Sequence, residues 1–175
     1  TYDGPGRSYD LKRLDKNIGV ILPLGGISNK NIVLGNENDY WATYQSDEHG
    51  FNNPPGLYSL GKVDIVMIGD SFANGIAVHP QYQISSILRN YGLTVINLGY
   101  SGYGTLKEFA TFREYAVKLK PKIILWLYYV NDIVNLNSEM NSSILKKYLN
   151  SDVFTQNLFA SQDLIDDILI TNLMN

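Results

Sequence analysis

From Val63 onward the chain alternates short apolar runs with amphipathic ones. Val63-Asp64-Ile65-Val66-Met67-Ile68, Thr94-Val95-Ile96-Asn97-Leu98 and Ile123 to Tyr129 are rich in β-branched and large apolar residues. Lacking a polar alternation, they predict three buried strands. Between the first two, the pattern predicts a helix from about Pro80 to Tyr91, with Pro80 suited to its first turn. Between the second and third, Thr105 reads as a helix cap, with Glu108 completing a capping box. Leu106, Phe109, Ala110, Ala116 and Val117 give that helix its apolar face, and Lys120-Pro121 ends it.

Strand, helix, strand, helix, strand with continuous apolar strands implies a parallel sheet covered on both faces. The expected fold class is α/β, a flavodoxin-like three-layer α/β/α arrangement. Residues 61–175 would form this domain. Residues 1–60 read as an irregular N-terminal extension packed on it, in which Gly4-Pro5-Gly6, Gly25-Gly26 and Pro54-Pro55-Gly56 mark turns. Short strands are expected there at Gly19–Leu24, Asn31–Leu34 and Tyr40–Tyr44. Residues 142–175 look helical. The chain opens on Thr1, and its last amphipathic pattern, Leu164 to Leu173, has no Gly or Pro stop behind it. It therefore reads as a piece of a longer protein, incomplete at the C-terminus.

Composition narrows the function classes. At 175 residues and 45% hydrophobic, the chain is long and apolar enough for one domain with a real core. Its longest apolar run, Ile123 to Val130, is far short of the roughly 20 residues of a spanning helix. A net charge of -3 without a long basic run argues against a nucleic-acid partner. With no cysteine, disulfides, thiolate-bound zinc and thiol nucleophiles are excluded.

In a doubly wound sheet, ligands bind beyond the carboxyl ends of the strands. This sequence places Gly69-Asp70-Ser71 after the first strand, Asn97 to Gly102 after the second and Val130-Asn131-Asp132 after the third. A serine on a tight turn, a glycine-rich backbone and an asparagine amide thus converge on one crevice. Ser71 is the candidate nucleophile. Its own N–H, the Gly102 N–H and the Asn131 side chain are candidate donors to an oxyanion, each worth on the order of 10²–10³ in rate. Asp70 reads as a structural acceptor holding the turn, and Asp132 as a brace.

These three blocks resemble the SGNH, or GDSL-like, hydrolase superfamily: Gly-Asp-Ser at 69–71, Asn-x-Gly-x-x-Gly at 97–102 and Asn-Asp at 131–132. The likeness runs over about residues 47 to 160. It includes Asp47-Glu48-His49-Gly50-Phe51 and the stretch from Gly102 to Tyr129, which are similar to a bacterial subgroup. The resemblance implies a serine ester hydrolase or acyl transferase working through an acyl-serine on an acetylated sugar, lipid or small ester. Ser71 would be the nucleophile, Gly102 and Asn131 the oxyanion donors, with no cofactor and no metal, in an extracytoplasmic setting. Three departures stand out. Gly-Phe-Asn stands at 50–52 where related sequences commonly have Gly-Phe-Arg. Tyr129 occupies a position where the family has glycine, and the family's Asp-x-x-His pair is missing, since His49 and His79 both lie upstream of the second block.

Other readings compete. His79, just before Pro80, reads as a surface helix-entry residue and His49 as a turn residue. Tyr100, Tyr103, Tyr128 and Tyr129 suit either a pocket lining or simple packing. Asp163, Asp166 and Asp167 read as the solvated face of the last helix. One alternative function is a catalytically inactive SGNH-like binding or assembly module. A more distant one is a flavodoxin-like domain holding a phosphate or flavin at residues 71–74, or magnesium between Asp70 and Asp132.

Overall fold

The computed structural model describes residues 13–15, 19–37 and 40–173. Thr1 to Gly6, with the expected Gly-Pro-Gly turn, lies outside the described residues. Two antiparallel pairs precede the main sheet: β1 (Arg13–Asp15) with β2 (Gly19–Ile21), and β3 (Asn31–Glu37) with β4 (Tyr40–Gln45). The second pair is longer than the expected strands, and its register shifts between Val33 and Gly35.

The main sheet is parallel, with β5 (Ile65–Ile68) between β6 (Val95–Asn97) and β7 (Ile123–Trp126). Side chains alternate across it. Val66 and Ile68 enter the large core with Leu106, Ala110, Tyr115, Tyr148, Leu158 and Ile165. Ile65 and Met67 enter a smaller cluster with Ala73, Val95 and Leu88. Helices therefore cover both faces: α1 (Ser71–Asn74) and α2 (Ile84–Asn90) on one side, α3 (Thr105–Thr111), α6 (Ser143–Asn150) and α7 (Gln162–Leu173) on the other. The mixed α/β architecture is compatible with three layers. Leu22, Leu24 and Phe51 join the large core, which ties the described part of the first 60 residues to the sheet.

Three elements depart from expectation. The run from Pro80 to Tyr91 is not one helix: Pro80–Tyr82 forms a 3₁₀ turn, and α2 begins only at Ile84. The helix from Thr105 changes pitch, passing through a π segment at Phe112–Ala116 into α4 (Val117–Leu119). The Thr105–Glu108 capping box does not form either. Gly104 is the cap residue, and the carboxylate of Glu139, at the end of α5 (Asn131–Glu139), accepts from the N–H of Gly104, Leu106 and Lys107 at 2.8, 2.9 and 3.3 Å. Glu108 instead lies buried and accepts from Trp126 Nε1 at 2.7 Å.

The third strand is the largest correction. β5 and β6 are wholly buried, but β7 is not: Ile123, Ile124, Leu125 and Trp126 expose 56, 36, 36 and 37% of their surface. It is an edge strand with the composition of an interior one.

Candidate active site

Strand order reverses at β5, with β6 on one side and β7 on the other. The crevice between the carboxyl ends of β5 and β7 is therefore the switch point where doubly wound sheets bind ligands. Ser71 and Asn131 sit there, each the first residue of the helix after its strand.

The β5 turn is built by Asp70. Its Oδ1 accepts from Phe72 N at 2.9 Å and caps α1, so the cap is the aspartate and not Ser71. Its Oδ2 accepts from Asn131 Nδ2 at 2.7 Å, which joins the turns after β5 and β7. The bond fixes the Asn131 amide and leaves its second N–H for another acceptor. Asn131 Oδ1 is buried with no partner among the described residues. Gly69 has φ 155°, and a side chain there would meet Leu127 O at 2.8 Å and Ala73 Cβ at 2.9 Å. Only glycine lets β5 turn so tightly beside β7.

The turn after β6 is held against the same place. Tyr100 N donates to Gly69 O at 3.1 Å, and Asn97 Nδ2 donates to Ala73 O at 2.7 Å. A Cβ on Gly99 would lie 2.5 Å from that of Ala73, so the chain passes too closely for any side chain. Gly102 follows at φ 79°, in an exposed turn. All three sequence blocks are thereby hydrogen-bonded into one cluster through Asp70, Gly69 and Asn97.

Asp132 is buried, and its Oδ2 accepts from Tyr129 N at 2.7 Å, a brace for the turn into α5. Burial raises its carboxyl above the ordinary aspartate value. The first 60 residues also contribute to this end of the sheet. Asn53 bridges Asp47 Oδ2 to the backbone of Asn97, donating to Asn97 O at 2.9 Å and accepting from Asn97 N at 2.8 Å. Asn52 Nδ2 reaches Asn74 O at 2.8 Å, and Gln83 Nε2 reaches Gly75 O at 3.1 Å, so the C-terminal end of α1 is pinned. The sequence marks Asn52 only as part of a turn and as a departure from the family, and Gln83 not at all, because each acts on backbone elsewhere in the chain.

Neither histidine is placed as a base for Ser71. The His49 ring is nested among Tyr58, Tyr115 and Phe159, at centroid distances of 4.6, 5.6 and 4.3 Å, and burial lowers its pKa. His79 precedes the 3₁₀ turn and packs on Tyr40 at 4.0 Å. Among the described residues no hydrogen bond links either one to Ser71. Tyr100 and Tyr103 are buried packing residues, whereas Tyr128 and Tyr129 are exposed. The Asp163-to-Asp167 face is only partly solvated, since Asp166 accepts from Ser28 N at 2.9 Å and from Ser28 Oγ at 2.6 Å.

An aspartate already occupies the N-terminus of α1, where a phosphate would sit, and like charges repel. No group of three or more His, Asp or Glu able to hold a metal is found among the described residues. Among them, too, no helix is long and apolar enough to cross a membrane. Compared with protein-family models, curated proteins and solved structures, the chain matches none.

Proposed function

We propose that this chain is the serine-bearing part of an SGNH-type ester hydrolase or acyl transferase, with Ser71 as its nucleophile. The observation that carries the proposal is the Asn131–Asp70 bond, which fixes an amide donor beside the serine turn at the switch point of a parallel sheet. Ser71 N is the first N–H of α1, one of those a helix leaves without an internal acceptor. With the free N–H of Asn131 and the backbone N–H of Gly102, it supplies the donor set for an oxyanion.

In the reaction, Ser71 Oγ attacks the ester carbonyl while its proton passes to a base. The tetrahedral oxyanion collapses, the ester C–O bond breaks and the leaving alcohol takes the proton. Water or an acceptor hydroxyl then takes the acyl group from Ser71. The resemblance assigns the base to an Asp-x-x-His pair that residues 1–175 lack, so in this proposal the base comes from outside them. The chain alone is then expected to hydrolyse p-nitrophenyl acetate only at a residual level, about 10³–10⁴ over water.

On the full-length protein, a tagged fluorophosphonate tests the nucleophile: it should label the wild type at Ser71 and not Ser71→Ala. Equal labelling of both sinks the assignment. Ordinary enzyme rates from this chain, abolished by His79→Ala, would make His79 the base. Both histidine rings pack on other aromatic rings, and among the described residues neither is hydrogen-bonded to Ser71, which also favours a second reading, an inactive SGNH-like binding module. That reading predicts no labelling at Ser71.

A further inference from the structure

The two turns that hold Ser71 and Asn131 each carry an exposed aromatic ring, and the rings touch. Phe72 follows Ser71, Tyr129 lies two residues before Asn131, and their centroids are 4.5 Å apart at 41°. Both rings are about half exposed, 57 and 50%. The chain continues from Tyr129 into Val130, Ile133 and Val134, spaced as one helical face and exposed at 66, 56 and 68%. The charged residue within this stretch, Asp132, is buried and faces the Tyr129 N–H. A solvent-facing apolar surface thus adjoins the serine turn, where polar residues would be the inexpensive choice.

We infer that the ester this site takes carries an apolar acyl chain, laid over the Phe72–Tyr129 ring pair and along Val130, Ile133 and Val134. The inference rests on Ser71 being the nucleophile. The surface suits a hydrocarbon chain, not an acetylated sugar, because the aliphatic side chains of 130, 133 and 134 have no group to bond ring hydroxyls. Burying methylenes there contributes about 0.8 kcal/mol each, so three or four distinguish a long chain from a short one by roughly 50- to 200-fold.

The test uses the full-length protein, which supplies the base, and two fluorophosphonates with the same tag, one carrying an ethyl and one a decyl group. The measured quantity is the ratio of their second-order labelling rates at Ser71. A decyl preference of at least about tenfold is expected, falling towards one in Phe72→Ser and in Tyr129→Ser. Circular dichroism of both variants confirms that they are folded. Equal rates in the wild type, or a preference that survives both substitutions, overturns the acyl-chain inference and leaves the nucleophile standing. No labelling by either reagent overturns the nucleophile and this inference with it.

Discussion

Asp70 performs two tasks with one carboxylate, capping α1 through Phe72 N and holding the Asn131 amide. Removing it leaves a helix N–H and a partly buried amide without their charged acceptor. Asp70→Ala should therefore destabilise the chain by about 1–3 kcal/mol, seen as a lower urea midpoint with unchanged slope. Asp70→Asn should recover only part of this, because one amide oxygen replaces two carboxylate oxygens. If Asp70→Ala is as stable as the wild type, the bond between the two turns is not what holds them. The residue scale is also where local pattern served best. Ser71, Asn131 and Asp70 were legible because strand ends can be located from apolar runs, and whatever follows a strand end in such a sheet shares one crevice. Phe72 was not legible, since its exposure depends on how α1 sits and not on its neighbours in sequence.

At the scale of elements, two buried glutamates join segments far apart in the chain. Glu114, inside the π segment, accepts from Tyr148 Oη at 2.6 Å, Gln156 N at 2.6 Å, Leu158 N at 2.8 Å and Thr155 Oγ1 at 2.9 Å. It binds α6 and the loop after it to the helix on the sheet. Glu114→Ala strands these donors in the core and should cost about 3–5 kcal/mol in chemical denaturation. Exposed Asp163→Ala should stay within about 0.5 kcal/mol. Comparable losses from both would mean that Glu114 is no more than a surface carboxylate in its effect. Glu139 does for α3 what Glu108 was expected to do. Neither glutamate was legible in the sequence: a cap supplied from 33 to 35 residues away leaves no mark in a local window. The same limit explains β7. Its apolar run correctly marked a strand, but whether that strand is covered depends on what packs beside it, and hydrophobic periodicity carries no information about that. The parallel sheet with helices on both faces followed from the alternation of elements, because continuous apolar strands joined by helices leave few other arrangements.

For the whole molecule, raised carboxyls make stability depend on pH, Glu108 and Asp47 most strongly and Asp132 in the same direction. Burial pushes Glu108 up to about 7, with the Trp126 bond offsetting part and Asp132, Asp70 and Glu139 adding to the rise. Burial likewise pushes Asp47 up to about 6 against the four hydrogen bonds it accepts. A carboxyl whose folded pKa exceeds its unfolded value binds more protons folded than unfolded between the two values. Stability then falls as pH rises through that window, by at most about 1.4 kcal/mol per pH unit for each group. The chain should be more stable at pH 5 than at pH 8, and Glu108→Gln should flatten the slope and raise the midpoint at pH 8. A slope of the opposite sign would show that neither group is buried in ionised form. The open side of the sheet has a separate consequence. β7 presents apolar side chains on both faces and, among the described residues, has no strand paired along its outer edge, with no charge or proline between Ile123 and Val130. Edges of that kind pair with other strands. The chain should associate with rising concentration, measured by light scattering after size exclusion. Leu125→Lys should suppress that association without lowering the unfolding temperature by more than a few degrees, since Leu125 is already more than one-third exposed. Concentration-independent monomers would show that the edge is protected by its twist or length alone, and association unchanged in Leu125→Lys would place the contact on another surface.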